Sequence, residues 1–248
     1  MTTDRAGGHR RRGRPGYRDA RGGLLPTIGT GRQAGPMRMP WRSRHEPSAP
    51  WPIELREESA DPAIVLRPLT LADEYEWQRV RRANVEHVRP WEPTLPPGVP
   101  SPPAVSFAAF VRELDTEGRA GRAMPWCVVV EGRIVGQVHL FAIVRGAQLS
   151  GAAGYWLDQS LTGRGIMTRA LAAALDHALG AGGLHRMEVN IRLDNAPSLA
   201  VVRRLGLRDE GIRQRFLHID GAWRDHRSFA VTREEVGPGG LVGRLTPP

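Results

Sequence analysis

The chain has 248 residues, one cysteine and a formal net charge of +9 at pH 7, and its 35 basic Lys/Arg side chains are all arginine. A single cysteine excludes an internal disulfide, no apolar run reaches the 18 or so residues of a membrane span, and Leu24–Ile28 falls short of a secretory apolar core of roughly 7 to 15 residues. A cytoplasmic protein with no membrane partner is therefore expected. The charge is concentrated: residues 1–50 carry eleven Arg against Asp4, Asp19 and Glu46, which leaves residues 51–248 close to neutral.

Residues 1–50 are rich in Arg, Gly and Pro and poor in large apolar groups, so they are expected to be a disordered tail. His9–Arg14 has the composition of a weak RNA-contacting arm, since arginines neutralise phosphates and release counterions. The plainer alternatives are a solvated leader or a natural start nearer Met37 or Met39. A folded domain is expected over 51–236, with a flexible C-terminal tail over 237–248.

Within the domain, residues 63–69 read as a strand, and Thr70 with Asp73 forms a capping box for a helix from Leu71 to Val88 that ends at Pro90. The apolar stripe assigned to it is Leu71, Tyr75, Val80 and Val85. Residues 89–103 must be a loop, after which Ser101 and two prolines open a helix with Val105, Phe107, Ala108 and Val111 as its apolar positions. Residues 125–131 and 134–145 form a hairpin about Gly132–Arg133, with a third strand over 151–158. Cys127 falls in its apolar run and reads as a buried structural thiol.

Ile166 to Leu179 has helical spacing and stops at Gly180–Gly183, and 184–193 alternates cleanly, with Met187, Val189, Ile191 and Leu193 on one face. A short helix follows from Ala196 to Leu205, then a hairpin on Asp220–Gly221 as a type I′ turn. This order of elements makes an α/β (α+β) domain. Between the strand at 151–158 and the helix at 166 lies Thr162-Gly163-Arg164-Gly165-Ile166-Met167. Its amides and the helix dipole can converge on an anion, although a tight strand-to-helix turn explains the glycines equally well. It lacks the Gly-Lys-Ser/Thr of a nucleotide loop and the dinucleotide fingerprint.

Several separated strings, taken in order, resemble the GNAT superfamily of N-acetyltransferases, and within it the RimJ-type ribosomal-protein N-terminal alanine acetyltransferases. They are Arg89-Pro90-Trp91-Glu92-Pro93, Ile143-Val144-Arg145-Gly146-Ala147, Gly154-Tyr155-Trp156-Leu157-Asp158, the glycine loop, Asp194-Asn195-Ala196-Pro197-Ser198, Leu205-Gly206-Leu207 with Glu210-Gly211, and Ile219 through His226. The resemblance spans about residues 62–234. It implies the GNAT fold: a mixed, mostly antiparallel seven-stranded sheet, splayed between its fourth and fifth strands, with helices on both faces.

The resemblance also implies acetyl-CoA as co-substrate, no metal, and direct attack by an amine in a ternary complex. Its pyrophosphate would rest on Thr162, Gly163, Arg164, Gly165, Ile166, Met167 and Thr168. Two of these depart from the family pattern: Thr162 replaces Gln/Arg, and Met167 replaces a small residue. The pantetheine arm would add to the strand edge at Tyr155, Trp156 and Leu157 and reach Asn195 and Ser198. Trp91, Glu92 and Arg145 are expected to border the acceptor. Many members use a Tyr as acid where this chain has Val202, so Ser198 is the candidate donor to the departing sulfur, although it also fits a first-turn Ser capped by Asn195.

Glu188 and Glu92 are the candidate bases, with His139 as an outside candidate. An α-amine, of pKa about 7.7 to 8, is held neutral near pH 7 at about 3 to 4 kcal/mol less than a Lys amine, so weak bases fit an N-terminal acceptor better. A protein N-terminus, such as that of a ribosomal protein, is the expected acceptor, and the enzyme is expected to be a monomer or homodimer. The alternatives are acetylation of a small amine, such as an antibiotic, polyamine or amino acid, and a non-catalytic ribosome- or RNA-associated factor. No Cys/His spacing suits a metal.

Overall fold

A computed structural model describes residues 51–245. The tail over 1–50, with its RNA-contact and leader readings, lies outside the described residues. The chain runs β1 (Leu55–Glu57), β2 (Ile64–Arg67), α1 (Glu74–Ala83), α2 (Val85–Val88), α3 (Phe107–Arg119), β3 (Met124–Val130), β4 (Arg133–Val144), β5 (Ser150–Leu157), α4 (Ile166–Leu179), β6 (Arg186–Arg192), α5 (Ala196–Arg204), β7 (Arg208–Ile219), β8 (Ala222–Thr232) and α6 (Gly240–Gly243). The strands form one eight-stranded sheet in the order β1-β2-β3-β4-β5-β6-β8-β7, one strand more than the seven expected. The extra strand is β1, which pairs Leu55 with Leu66. Three residues are too few to show an alternation.

Every pairing is antiparallel except β5 with β6, which the α4 crossover joins. That parallel pair holds only over Ser150–Ala153 against Arg186–Val189, so from Gly154 onward β5 has no strand on that side. This is the expected splay. On one face of the sheet α4 buries Ala170, Leu171, Ala174, Leu175 and Ala178 completely, against Trp126, Val138 and Met187. On the other face, Trp77, Val80, Phe107 and Val111 cover Cys127, Val129 and Ile134. Burial pushes the Cys127 thiol up to about 12, which keeps it protonated and inert.

The boundaries of α4 are those expected, and Asp220 and Gly221 both take positive φ (48° and 75°) as a type I′ turn requires. The Thr70–Asp73 box forms, and Asp73 also takes a two-pronged pair from Arg67, which holds its carboxyl below the usual range against the opposing effect of burial. The stripe assigned to the first helix needs correction. Leu71, Tyr75 and Val85 are exposed, and the face toward the sheet is Trp77, Val80, Asn84 and Val88.

That helix is also interrupted at Asn84, which leaves helical geometry (φ −112°, ψ 12°). The Asn84 amide donates to the Val80 carbonyl at 2.9 Å, and its Oδ1 accepts from the Gln159 amide at 2.8 Å. An Asn inside a helical pattern competes for the backbone in this way. The third helix begins at Phe107 rather than after Ser101, because Ser106 is the cap, accepting from Ala109 N, and Val105 is exposed. The segment expected to be a flexible tail after 237 includes α6, whose Leu241 is fully buried and whose first amides are accepted by Asp176.

Asn84, only 2% exposed, thus ties the α1–α2 break to the turn that leads into the glycine loop. Replacing Asn84 by Ala strands the Gln159 amide, so the urea unfolding free energy is expected to fall by about 1–3 kcal/mol.

Candidate active site

Where β5 leaves β6, a cavity of about 930 Å³ opens, floored by the start of α4 and walled by α5, β7, β8 and the segment at 87–93. Its first component is the loop before α4. Gly163 and Gly165 sit at φ +78° and +79°, a backbone that side chains rarely adopt. Gly165 caps α4 with no side-chain bond, and no amide from Gly163 to Thr168 finds a partner among the described residues. Six adjacent free N–H groups at the start of a 14-residue helix form an anion cradle. Thr162 donates its hydroxyl to the Gln159 carbonyl at 2.8 Å, a structural bond that needs no Gln or Arg there. Met167, in the first turn of α4, is buried and packs with the core, where the bulk of a larger residue is accommodated.

The second component is the open edge of β5 from Gly154 to Leu157, whose polar groups have no strand partner on the β6 side. Across the gap stands α5, capped by Asn195, whose Oδ1 accepts from Ser198 N at 3.1 Å. The Tyr155 hydroxyl donates to the Ser198 carbonyl at 3.3 Å and bridges the strand to the helix. Burial raises the Tyr155 phenol, so it stays protonated. Ser198 lines the cavity beside Tyr155, and its side chain bonds to the phenol, opposing the effect of burial there. Val202, at the position where the resemblance implies a Tyr, is fully buried in the core.

The third component is the far wall. Glu188, Asn190 and Arg192 share the polar face of β6. His226 of β8 lies opposite Arg192, and Arg213 of β7 lies opposite His226. Arg192 stacks over Trp91 at 5.0 Å and donates to the Pro90 carbonyl at 2.7 Å, which fastens the segment at 89–93 to the end of β6. Pro93 bridges Ile219, and Thr94 N donates to His218 O, so this segment closes over the β7–β8 hairpin.

Of the residues singled out from sequence, Trp91, Glu92, Tyr155, Trp156, Leu157, Thr162, Gly163, Gly165, Ile166, Met167, Thr168, Glu188, Asn195 and Ser198 all line this one cavity. Arg164 and Arg145 do not. Arg164 is exposed on the outside of the glycine loop. Arg145 turns to the α4–β6 connection, donating to the Gly182 carbonyl at 2.9 Å, and burial lowers its guanidinium affinity for protons.

The two carboxylates are both engaged. Glu188 takes Arg186 on one oxygen and Arg213 on the other, at 2.9 and 2.7 Å, and Glu92 pairs with Arg81 at 2.5 Å. His139 lines the cavity from β4 with its Nε2 enclosed and unpartnered, and burial lowers its pKa. Arg213, Phe216, His87 and His226 also line the cavity, and none was picked out for the site from sequence. The one sequence signal for His226 was its place in the string Ile219 through His226.

A splayed mixed sheet with an amide cradle at the mouth of its gap is the architecture of the GNAT acetyltransferases. The chain belongs to that family: the model of the acetyltransferase (GNAT) domain matches residues 63–208. Within it the chain falls in the RimJ-type branch. It is similar to RimJ of Mycobacterium smegmatis, solved in complex with CoA-disulfide, at 39% identity and a TM-score of 0.70, covering 79% of this chain and 94% of that one.

It is also 38% identical over 101 residues to the Bacillus subtilis protein named "Probable N-acetyltransferase YjcK", covering 41% of this chain and 56% of that one. To the Escherichia coli [Ribosomal protein uS5]-alanine N-acetyltransferase it is 35% identical over 109 residues, covering 44% of this chain and 56% of that enzyme. The chain thus spans about half the length of these two curated relatives. Among the described residues no cluster could hold a metal and no helix is long and apolar enough to cross a membrane.

The free amides of the cradle and the open strand edge are complementary to a diphosphate carrying a chain of amides, the two parts of coenzyme A. Replacing Gly165 by Ala forces a side chain into left-handed backbone at roughly 1–2 kcal/mol, so the coenzyme A Kd measured by calorimetry should rise about tenfold. An unchanged Kd would place the diphosphate elsewhere.

Proposed function

We propose that this chain transfers the acetyl group of acetyl-CoA to the α-amino group of a protein N-terminus, with a ribosomal protein as the acceptor. The observation that carries this reading is the polarity of the acceptor wall. A polyamine or aminoglycoside is polycationic and calls for free carboxylates. Here Glu188 and Glu92 are each neutralised by arginine, and the groups around them are Arg192, Arg213, His87 and His226. Such a wall suits a chain bearing one amine followed by neutral peptide groups. The acceptors for which these relatives are named, ribosomal proteins, support the same class.

Acetyl-CoA supplies the activated acyl carbon, and the chain's own residues supply position and protons. The amides from Gly163 to Thr168 hold the diphosphate, and the edge of β5 orders the amide arm by strand addition. Asn195 and Tyr155 fix the first turn of α5, which keeps the Ser198 hydroxyl at the gap as the hydrogen-bond donor to the departing sulfur. Trp91 under Arg192 excludes water from the acceptor end. Glu188 acts by holding Arg213 in place.

Peptides beginning Ala, Ser or Met, incubated with acetyl-CoA and the enzyme, should release thiol, whereas spermidine and aminoglycosides should not. Thiol release with the small amines alone would refute the protein acceptor. In the same assay, replacing Ser198 by Ala should lower kcat by about 10²-fold while the acetyl-CoA Kd changes little. A rate unchanged in that variant would leave Ser198 a capped first-turn residue.

A further inference from the structure

The acceptor ammonium must lose a proton before it can attack; Glu188 has an arginine on each oxygen, and Glu92 is held by Arg81 through one of its two. One side chain on the acceptor wall is arranged otherwise. His226 is 3% exposed, and its Nδ1 lies 3.0 Å from the Arg224 carbonyl. A carbonyl only accepts, so the proton is on Nδ1, and Nε2 is left with its lone pair. No hydrogen bond to Nε2 exists among the described residues, and the ring lines the cavity. Phe216 stands edge-on to the ring at 5.6 Å and fixes its plane.

From this geometry we infer that His226 is the general base, its Nε2 taking a proton from the acceptor ammonium. The inference rests on the acetyl-transfer reading. The N–H bond of the ammonium breaks and an Nε2–H bond forms, so the positive charge passes to the imidazole. The freed lone pair bonds to the acyl carbon as the C–S bond breaks, and the sulfur departs with the second proton of the amine, through the Ser198 hydroxyl. The imidazolium then returns its proton to solvent.

The surroundings keep the base ready. Burial first, and Arg192 across the strand pair, lower the His226 pKa from its usual value, while the Arg224 carbonyl, Asp225 and Asp194 oppose them. Arg213 flanks the ring from β7, Arg224 neighbours it on its own strand, and His87 and Glu92 face the same cavity from the segment above. The ring is accordingly neutral at pH 7. His139, on the opposite wall, has no bond that fixes its tautomer, and its Nε2 is enclosed.

Two measurements test this independently. With histidine labelled by ¹⁵N and coenzyme A bound, the signal lost in the His226→Asn variant should show a protonated Nδ1 and a bare Nε2 at pH 7, titrating below 6.5. A charged ring at pH 7, or the reverse tautomer, would overturn the assignment without any acceptor being known. In the second, His226→Asn keeps a side-chain donor for the Arg224 carbonyl, and circular dichroism confirms its fold. Its kcat/KM at pH 7 should fall by about 10²-fold. The acid limb should move from below 6.5 up to the ionisation of the amine itself, near 8, with the deficit narrowing above it. An acid limb unmoved in the variant would overturn the role. If no N-terminal peptide is a substrate, the acceptor proposal alone fails; spermidine then serves for the rate profile, and the ¹⁵N measurement decides by itself.

Discussion

The parting of β5 from β6 is the constraint on which the rest of this structure depends. Four residue pairs, Ser150–Ala153 against Arg186–Val189, are joined, and then the strands diverge. A sheet interior with unpaired polar groups is unfavourable, since each buried unpaired backbone group forfeits about 1–3 kcal/mol. The divergence therefore persists only because the two wings are each secured elsewhere. β4, itself paired with β3, holds β5 on one side through residues Gly136 to Phe141, and β8 holds β6 along its full length. α4 packs beneath both wings with a face of Ala and Leu, and small alanines let the helix approach the sheet closely. The gap is an edge that the protein maintains for another molecule to complete.

The arginine-rich composition has a local meaning in this frame. The last strands carry Arg186, Arg208 and Arg213 against Glu188, Glu210 and Glu235, in a continuous network. Arg186 first, then Arg208, holds the Glu210 carboxyl down at about 2, so it stays ionised through any working pH. Individual surface pairs contribute little to stability, roughly 0 to 1 kcal/mol. Glu188 is taken up by this network and Glu92 separately by Arg81, so both carboxylates lining the gap are paired with arginine. The arginines there are themselves paired, Arg213 with Glu188 and Arg192 with Asp194, so among the described residues the wall offers no unpaired carboxylate to a polycation.

Much of this was legible in the sequence, for identifiable reasons. The glycine loop, α4 and the Asn195 cap are local: each is set by residues within a turn of one another, and all three appear where expected. The first helix was misread because Asn84 sits on its buried face as a polar residue. With Asn84 and Trp77 turned to the sheet, Leu71 and Tyr75 lie on the exposed side. Arg145 and Glu188 show another limit. Their sequence neighbours suggested the site, but their partners are Gly182 and Arg213, fixed by tertiary contacts that no local pattern encodes. For His226, the Asp220–Gly221 turn sets the register near the hairpin tip. Irregularities at Asp209/Ile212 and Arg213/Leu217 then shift it, so the Arg213–His226 pairing cannot be counted out from the turn.

The choice of base follows from magnitudes more than from residue type. Glu188 is occupied by a guanidinium donor on each oxygen. A stronger base would be needed for a lysine acceptor, whose amine ionises near 10.4, but an α-amine near 8 is only one to two units above an ordinary imidazole. Each unit corresponds to about 1.4 kcal/mol, so the transfer from α-ammonium to a neutral histidine is uphill by a small amount that the transition state can absorb. Lowering the histidine further, by burial and by Arg192, increases that step but keeps the ring neutral and its lone pair available at pH 7. On the proposed reading, the wall balances availability against strength at a level that suits an α-amine and penalises a lysine, which would tie the chemistry of the base to the class of acceptor.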